Sequence, residues 1–346
     1  MDIVFHDREK EIEEITRILK SRPDLITFVY GPINSGKSSL MDEVVRRLPE
    51  NFVTFFIDLR AHVVTNVEEF YDVLFSYEVG LKRKITKFSD VISSLVSSAV
   101  RVYSGFPLPE SLISKVLTKD KPKNAFTYIF NVLQELKSKG KSPVIILDEL
   151  QVIGDLKIDG PLIYELFNFF VTISKRYHLA HVFAITSDSL FIEKVHSEAM
   201  LHGRCDYLLV DDFDYDTTKE FLQKYGFSRE EIELAWEYLG GKPVYLVGAI
   251  KNKDRLREFC ENVLKVRFSQ ILDTIYGIEG KLFEDVLSYF REISEKESVR
   301  YRKIDEALRF CVRNNILFLD PVERIVKPQS RTDLLAIRKV LSEIRD

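Results

Sequence analysis

Along the first 215 residues, short apolar runs alternate with stretches in which apolar residues recur every three or four positions, so strands interleave with helices. "DREKEIEEITRILKS" carries Ile12, Ile15, Ile18 and Leu19 at helical spacing, and Pro23 stops it. "LITFVYG" (25–31) is an apolar run too short for a helix and closed by glycine, which reads as a buried strand. "GKSSLMDEVVRRL" then sets Leu40, Val44 and Leu48 on one helical face. Further strands are expected at "FVTFFIDL" (52–59), "SPVIILDEL" (142–150), "HVFAITSDS" (181–189) and "DYLLVDDFD" (206–214). "PLIYELFNFFVTISKRY" (161–177) is expected to be a helix. Residues 66–140 read as a long, mostly helical insert with one clear loop at 103–111. Strands alternating with helices imply a parallel α/β sheet.

Beyond residue 215 the strands stop. "TTKEFLQKYG" and "REEIELAWEYLGGKPVYLVGAI" predict two helices, a loop and a third helix. From about residue 277 the amphipathic helices "GKLFEDVLSYFREI" and "RKIDEALRFCVRNN" precede two short strands, "ILFLD" and "RIVKP", joined by "PVE". Two helices followed by a two-stranded wing is the order of a winged helix-turn-helix.

Composition narrows the class without naming it. At 346 residues, 45% hydrophobic and 30% charged, the chain suits a globular protein of two or three domains. A formal net charge of -4 argues against coating nucleic acid along the whole length. From residue 265 on, 16 Lys/Arg face 14 Asp/Glu, a balance too slight to identify a partner. Cys205, Cys260 and Cys311 are odd in number and far apart, so neither a disulfide framework nor a C-x-x-C metal site is read from them, and buried free thiols are expected. His6, His178, His181, His196 and His202 form no pair with ligand spacing beside an acid, so a metal centre is not expected from them. The absence of a long apolar run and the acidic "MDIVFHDREKE" argue against a membrane span or signal peptide, and the expected location is the cytoplasm.

"GPINSGKS" (31–38) fits G-x-x-x-x-G-K-[ST] and lies between a predicted strand and a predicted helix, as a phosphate-gripping loop requires. Gly31, Pro32, Ile33, Asn34, Ser35, Gly36, Lys37, Ser38 and Ser39 are therefore the expected nucleotide-binding segment. Gly31 and Gly36 let backbone N–H groups converge on a β-phosphate, and the following helix adds its positive end. Lys37 would bridge β- and γ-phosphates and Ser38 would ligate Mg²⁺. The competing reading is a plain strand-to-helix turn. "VIILDEL" answers it, because a strand buried by four apolar residues delivers Asp148 to its carboxyl end, where open α/β sheets bind ligands. There Asp148 is a candidate Mg²⁺ ligand and Glu149 a candidate base for an attacking water. Thr186 or Ser187, at the end of the neighbouring strand, is expected to orient that water or sense the γ-phosphate. Arg204, before the last core strand, is a candidate for stabilising γ-phosphate charge, in cis or from a neighbouring subunit.

In this order the motifs "FHDREKEIEEI", "GPINSGKS", "LDELQ", "TSDS", "LHGR" and "GGKPVYL" resemble the archaeal ATPase family of STAND-class P-loop NTPases, relatives of AAA+ and origin-recognition ATPases. The likeness runs from about residue 5 to 250, and the winged-helix-like tail extends it nearly to the end. It implies a P-loop ATPase core at 1–214, a small helical lid at 215–275 and a winged helix at 276–346. It implies ATP as the nucleotide, Arg8 and Glu9 near base and ribose, Gln151 after the catalytic acid, Arg204 in the Gly-Arg position, and Pro243 in the nucleotide-contacting turn of the lid. Two departures accompany it: "TSDS" replaces the frequent Thr-Gly-Ser, and no nuclease-like extension follows the tail.

The resulting expectation is an ATP-hydrolysing switch that repositions its tail. The alternative is an initiator-like ATPase acting on double-stranded DNA through the winged helix, with Arg300, Arg302, Lys303, Arg309 and Arg313 as phosphate contacts and Asp305 and Glu306 opposing them. A protein partner for the tail and a homo-oligomer stay open. A purely nucleotide-dependent interaction module is disfavoured by Glu149.

Overall fold

All five side chains of Ile26–Tyr30 (β1) are buried, because the strand lies inside a sheet covered on both faces. The computed structural model describes residues 4–60, 64–75, 87–98, 101–113, 122–153, 162–197 and 201–344. With Phe52–Asp58 (β2), Val102–Tyr103 (β3), Ser142–Asp148 (β4), His181–Thr186 (β5) and Cys205–Leu209 (β6), β1 forms a sheet of order β3-β2-β4-β5-β1-β6. Every pairing in it is parallel. Phe28, Phe55 and Ile145 enter one apolar cluster, with the helix Leu162–Val171. Their neighbours Val29 and Ile146 enter a second, with Ile15, Leu40 and Phe183. Double-sided burial is why these strands read as unbroken apolar runs rather than alternating ones.

β5 and β6 end three and five residues before their patterns suggest, and the other expected strands of this sheet one or two. Asp188 Oδ1 accepts from the N–H groups of Leu190 and Phe191 and so starts the helix Ser189–Ser197, leaving β5 to end at Thr186. Asp214 accepts from Thr217 N and caps the helix Tyr215–Lys224, while β6 ends at Leu209. In the insert, Val67–Phe75, Phe88–Ser97 and Pro122–Ser138 are helices, and the edge strand β3 is an element that its two residues were too few to announce. Residues 76–86, 99–100 and 114–121 of that insert, and residue 161 of the expected helix 161–177, lie outside the described residues. That helix continues past Val171 through a π turn at Thr172–Arg176.

The helices Tyr215–Lys224, Arg229–Leu239 and Pro243–Lys251 follow as expected and share a core of Phe221, Leu239 and Leu246. The helix Leu256–Tyr276, 21 residues long, was not anticipated; Cys260 joins that core, whereas Ile271 and Ile275 join the core of the tail. In the tail, Gly280–Lys296 and Glu306–Arg313 are helices. Val299–Arg300 (β7), Leu317–Asp320 (β8) and Ile325–Pro328 (β9) make an antiparallel sheet of order β7-β9-β8, and Arg331–Glu343 closes the chain as a further helix. β7 and the closing helix are additions to the expected winged pattern.

The tail is seated on the carboxyl end of the main sheet. Tyr30 donates its hydroxyl to Asp320 Oδ1 at 2.9 Å, and Phe318 packs into the sheet's own core. Leu319 N donates to Ser189 Oγ at 3.3 Å, and Lys327 pairs with Asp211 just beyond β6. Among the described residues, no helix is long and apolar enough to cross a membrane.

Candidate functional site

Two glycines shape the loop after β1, each for its own reason. A Cβ on Gly31 would meet Val210 O at 2.1 Å, so the chain passes there only without a side chain. Gly36 has open space around it but a φ of +93°, a left-handed conformation that suits glycine as it opens the helix Lys37–Arg47. Lys37 is buried and folds back along the loop, donating to Gly31 O at 3.0 Å and Pro32 O at 2.8 Å. Burial pushes its ammonium down to about 8, against the opposing pull of Glu149, Asp148 and Asp212; nearby Lys242 adds to the lowering.

The loop is also held from three distant segments. Arg8 donates to Ser35 O at 2.8 Å and to Asp211 O at 2.6 Å, and its guanidinium lies over the Phe213 ring at 4.6 Å. Lys242, at the N-cap of Pro243–Lys251, donates to Ile33 O at 3.0 Å and pairs with Asp212 at 3.0 Å. Gln329, from the tail, accepts from Ile33 N at 3.1 Å.

β4 delivers its two acids as expected. Ser38 Oγ donates to Asp148 Oδ2 at 2.6 Å, while Asp148 Oδ1 is buried with no hydrogen-bond partner among the described residues. Burial raises the Asp148 carboxyl above its ordinary range, partly offset by that hydroxyl. Glu149 adopts φ +59°, an uncommon conformation for a side-chain-bearing residue, and this turns its carboxylate into a polar cage. Arg60 and Gln151 donate to it, and Ser187 Oγ lies 3.2 and 3.4 Å from its two oxygens. Thr186 Oγ1 donates instead to Gln151 Oε1 at 2.6 Å. Of the two hydroxyls left open above, Ser187 lines the cleft and Thr186 sits one bond behind it.

Two clefts meet over the loop. One, of about 320 Å³, is lined by Asn34, Lys37, Ser38, Arg60, Glu149 and Ser187. The other, of about 300 Å³, is lined by His6, Arg8, Ser35, Asp42, Phe213 and Phe221. Gly36, Ser39, Pro243 and Val247 line both, so a polar, charged chamber opens into one with an aromatic wall. Gly31 and Pro32 are buried and Ile33 half-buried at the start of the loop, none of them lining either cleft, and Glu9 is exposed at the start of its helix.

Arg204 is not brought to this site. It precedes β6, whose Cys205 pairs with Ile26 at the amino end of β1, whereas the phosphate-type loop follows Tyr30 at the carboxyl end. Across five residues of parallel strand that separation is about 16 Å. An action in cis is thereby corrected: in a parallel sheet the residue before a strand belongs to the opposite edge. Sequence reasoning in turn missed Arg60, Lys242 and Gln329. Arg60 had a readable signal, because Asp58 aligns with Asp148 and the residues that follow β2 must approach the end of β4. Lys242 lay beside Pro243 in the quoted "GGKP". Gln329 had none.

A glycine-shaped loop between a buried strand and a helix, faced by two acids from a neighbouring strand of a parallel sheet, defines a P-loop NTPase. The family described as "ATPase domain predominantly from Archaea" matches residues 5–249, and the chain belongs to this family of ATP-binding P-loop ATPases. The region described as "Uncharacterized ATP-binding protein MJ1010-like, C-terminal domain" matches residues 257–341. An uncharacterized ATP-binding protein of Pyrococcus abyssi is 51% identical over 341 residues, covering 99% of this chain and 100% of its own. One from Methanocaldococcus jannaschii is 44% identical over 354 residues, covering 99% and 98%. The fold is that of a Walker-type ATPase of Pyrococcus abyssi, with a TM-score of 0.66 at 20% identity over 96% of both chains. The Aeropyrum pernix ORC2 protein follows at a TM-score of 0.50 and 12% identity, over 100% of this chain and 97% of that one.

Proposed function

We propose that the chain is an ATP-hydrolysing switch: Mg-ATP draws lid and winged tail together over the core, and hydrolysis lets them go. Its working parts are the core at 1–214, the lid at 215–275 and the tail at 276–346. The N–H groups of residues 34–39 and the Lys37 ammonium hold the phosphates. The Arg8–Phe213 wall and Pro243 of the lid flank base and ribose. Mg²⁺ fits the residues present, since the Ser38 hydroxyl and the partnerless Asp148 Oδ1 are oxygen donors suited to a hard cation that keeps several waters. Bound there, it supplies neutralisation of phosphate charge. Glu149 takes the proton of a water whose oxygen bonds to the γ-phosphorus as the bond to the bridging oxygen breaks, leaving ADP and phosphate. Ser187 and Gln151 aim that carboxylate, and Thr186 aims Gln151. Arg204, on the opposite edge, would serve only the nucleotide of a neighbouring copy.

The observation that carries this reading is the seat of the tail. Its wing touches the end of β1 through Asp320, the helix after β5 through Leu319 and the segment after β6 through Lys327, each adjoining a segment that lines one of the two clefts. A ligand can move an equilibrium only by binding its two states differently, and contacts at those places give it that leverage.

A second reading, action on duplex DNA through the tail, is favoured by Arg300, Arg302, Lys303 and Arg313, all exposed. ATP turnover measured with and without duplex DNA over a salt series separates the two. The switch turns over ATP without DNA and is unmoved by it. The DNA reading requires stimulation by duplex, with affinity falling as about the third power of salt concentration or more steeply for such a set of phosphate contacts. Turnover no greater than that of Lys37→Met, with or without DNA, rules out both.

A further inference from the structure

Lys37 is held through a peptide bond that the tail itself holds. The carbonyl of Pro32 accepts from Lys37 Nζ at 2.8 Å, and the N–H of that same peptide, on Ile33, donates to Gln329 Oε1 at 3.1 Å. A trans peptide is planar, with its C=O and N–H pointing to opposite sides, so fixing one end fixes the direction of the other. We propose that Gln329, carried by the C-terminal tail, is a positioning residue for Lys37, acting through the Pro32–Ile33 peptide.

The Gln329 amide is itself over-determined. Its Nε2 donates to Leu317 O at 3.2 Å, and its own backbone N–H donates to Ile316 O at 3.1 Å. Turning the amide over would set oxygen against oxygen at Leu317 and nitrogen against an N–H at Ile33, so the two partners fix its orientation. Gln329 is only 3% exposed. An ammonium has three N–H donors; two of those of Lys37 go to the Gly31 and Pro32 carbonyls, which aims the third at the cleft. Hydrogen bonds in series through an amide also strengthen one another. With the tail lifted, the Pro32–Ile33 peptide keeps only the Ser35 N–H, which donates to Pro32 O at 3.3 Å, as its anchor apart from Lys37, so the carbonyl that the buried lysine uses is held less firmly.

The consequence is a nucleotide site completed by a residue some 290 positions away, and, by reciprocity, a tail whose seat is strengthened by phosphate at Lys37. The helical lid acts on the next peptide in the same way, since Lys242 holds the carbonyl of Ile33. Ile33 is thus gripped by the tail at its nitrogen and by the lid at its oxygen.

The test is Gln329→Met, which keeps the length and apolar stem but removes both amide bonds. Affinity for ATP and for adenosine is measured by competition in the full chain. One hydrogen bond lost from this relay is expected to weaken ATP binding about fivefold while adenosine, which has no phosphate for Lys37, changes less than twofold. Unchanged ATP affinity, or an equal loss for ATP and adenosine, overturns the proposal, because a merely structural role weakens both ligands alike. Should Gln329→Met fail to fold, Gln329→Asn takes its place under the same criteria, drawing the amide oxygen back from Ile33 while leaving a polar group in position. Because this role presupposes the phosphate site proposed above, Lys37→Met is run alongside. Wild-type ATP affinity in Lys37→Met would remove the phosphate site and the relay together; loss there with none in Gln329→Met would remove the relay alone.

Discussion

Glu149→Gln is expected to lower ATP turnover by roughly a thousandfold while ATP still binds. A positioned general base contributes about 10²- to 10⁴-fold, and the amide cannot take the water's proton. Gln is close to Glu in shape, and Ser187 can donate to its oxygen. The left-handed backbone at this position places the side chain whichever head group it carries. Binding is spared because Glu149 sits across the cleft from Asn34 and Lys37 rather than within the phosphate loop. The check is single-turnover hydrolysis beside equilibrium ATP binding in the same preparation. Turnover within tenfold of wild type would move the base elsewhere, and a matching loss of binding would make Glu149 a ligand-holding group instead.

Lys37→Met is expected to weaken ATP binding by roughly tenfold to a hundredfold, since the one ammonium N–H aimed at the cleft makes a charge-assisted hydrogen bond that contributes about 1.5–3 kcal/mol. The wild-type pH dependence gives the same residue a second signature. Burial holds the Lys37 ammonium down to about 8, so in the free protein it is charged below that pH and neutral above it. Phosphate brought alongside draws the lysine back toward its ordinary value of about 10.4, so binding takes up a proton between those two values. ATP affinity is therefore expected to be flat below pH 8 and to fall by up to about tenfold per unit above it. Lys37→Met should lack that slope. Calorimetry in two buffers of different ionisation enthalpy reads the proton directly. A flat wild-type profile through pH 9.5 would mean that Lys37 is not the group facing the phosphates.

The features legible in the sequence were those whose signal is local. "GPINSGKS" and "VIILDEL" each fix their own backbone, and double-sided burial made β1 and β4 continuous apolar runs. Asp148 and Glu149 could be placed because a parallel strand presents its carboxyl end to the ligand side. The same rule placed Arg204 at the opposite edge, and applying it consistently would have removed a role in cis. Leu256–Tyr276 and Arg331–Glu343 were legible in principle, since Ile271 and Ile275, or Ile337, Val340 and Leu341, recur at helical spacing. What no local pattern carries is the meeting of distant segments. Arg60 reaches Glu149 across 89 positions and Lys242 reaches Ile33 across 209, as products of strand order and lid packing. Gln329 follows a proline in an ordinary wing and acquires its place only when the wing is seated on the P-loop.

That seat is where the switch is most directly tested. Among the described residues, two backbone amide hydrogens cross it, Ile33 N–H to Gln329 and Leu319 N–H to Ser189. Their hydrogen exchange is to be followed in Glu149→Gln, which holds ATP without consuming it, with Mg-ATP and then with Mg-ADP. Slower exchange of both amides with ATP than with ADP is the expected result, because ATP closes the seat and its hydrolysis loosens it. Equal rates with the two nucleotides would contradict a tail governed by the γ-phosphate.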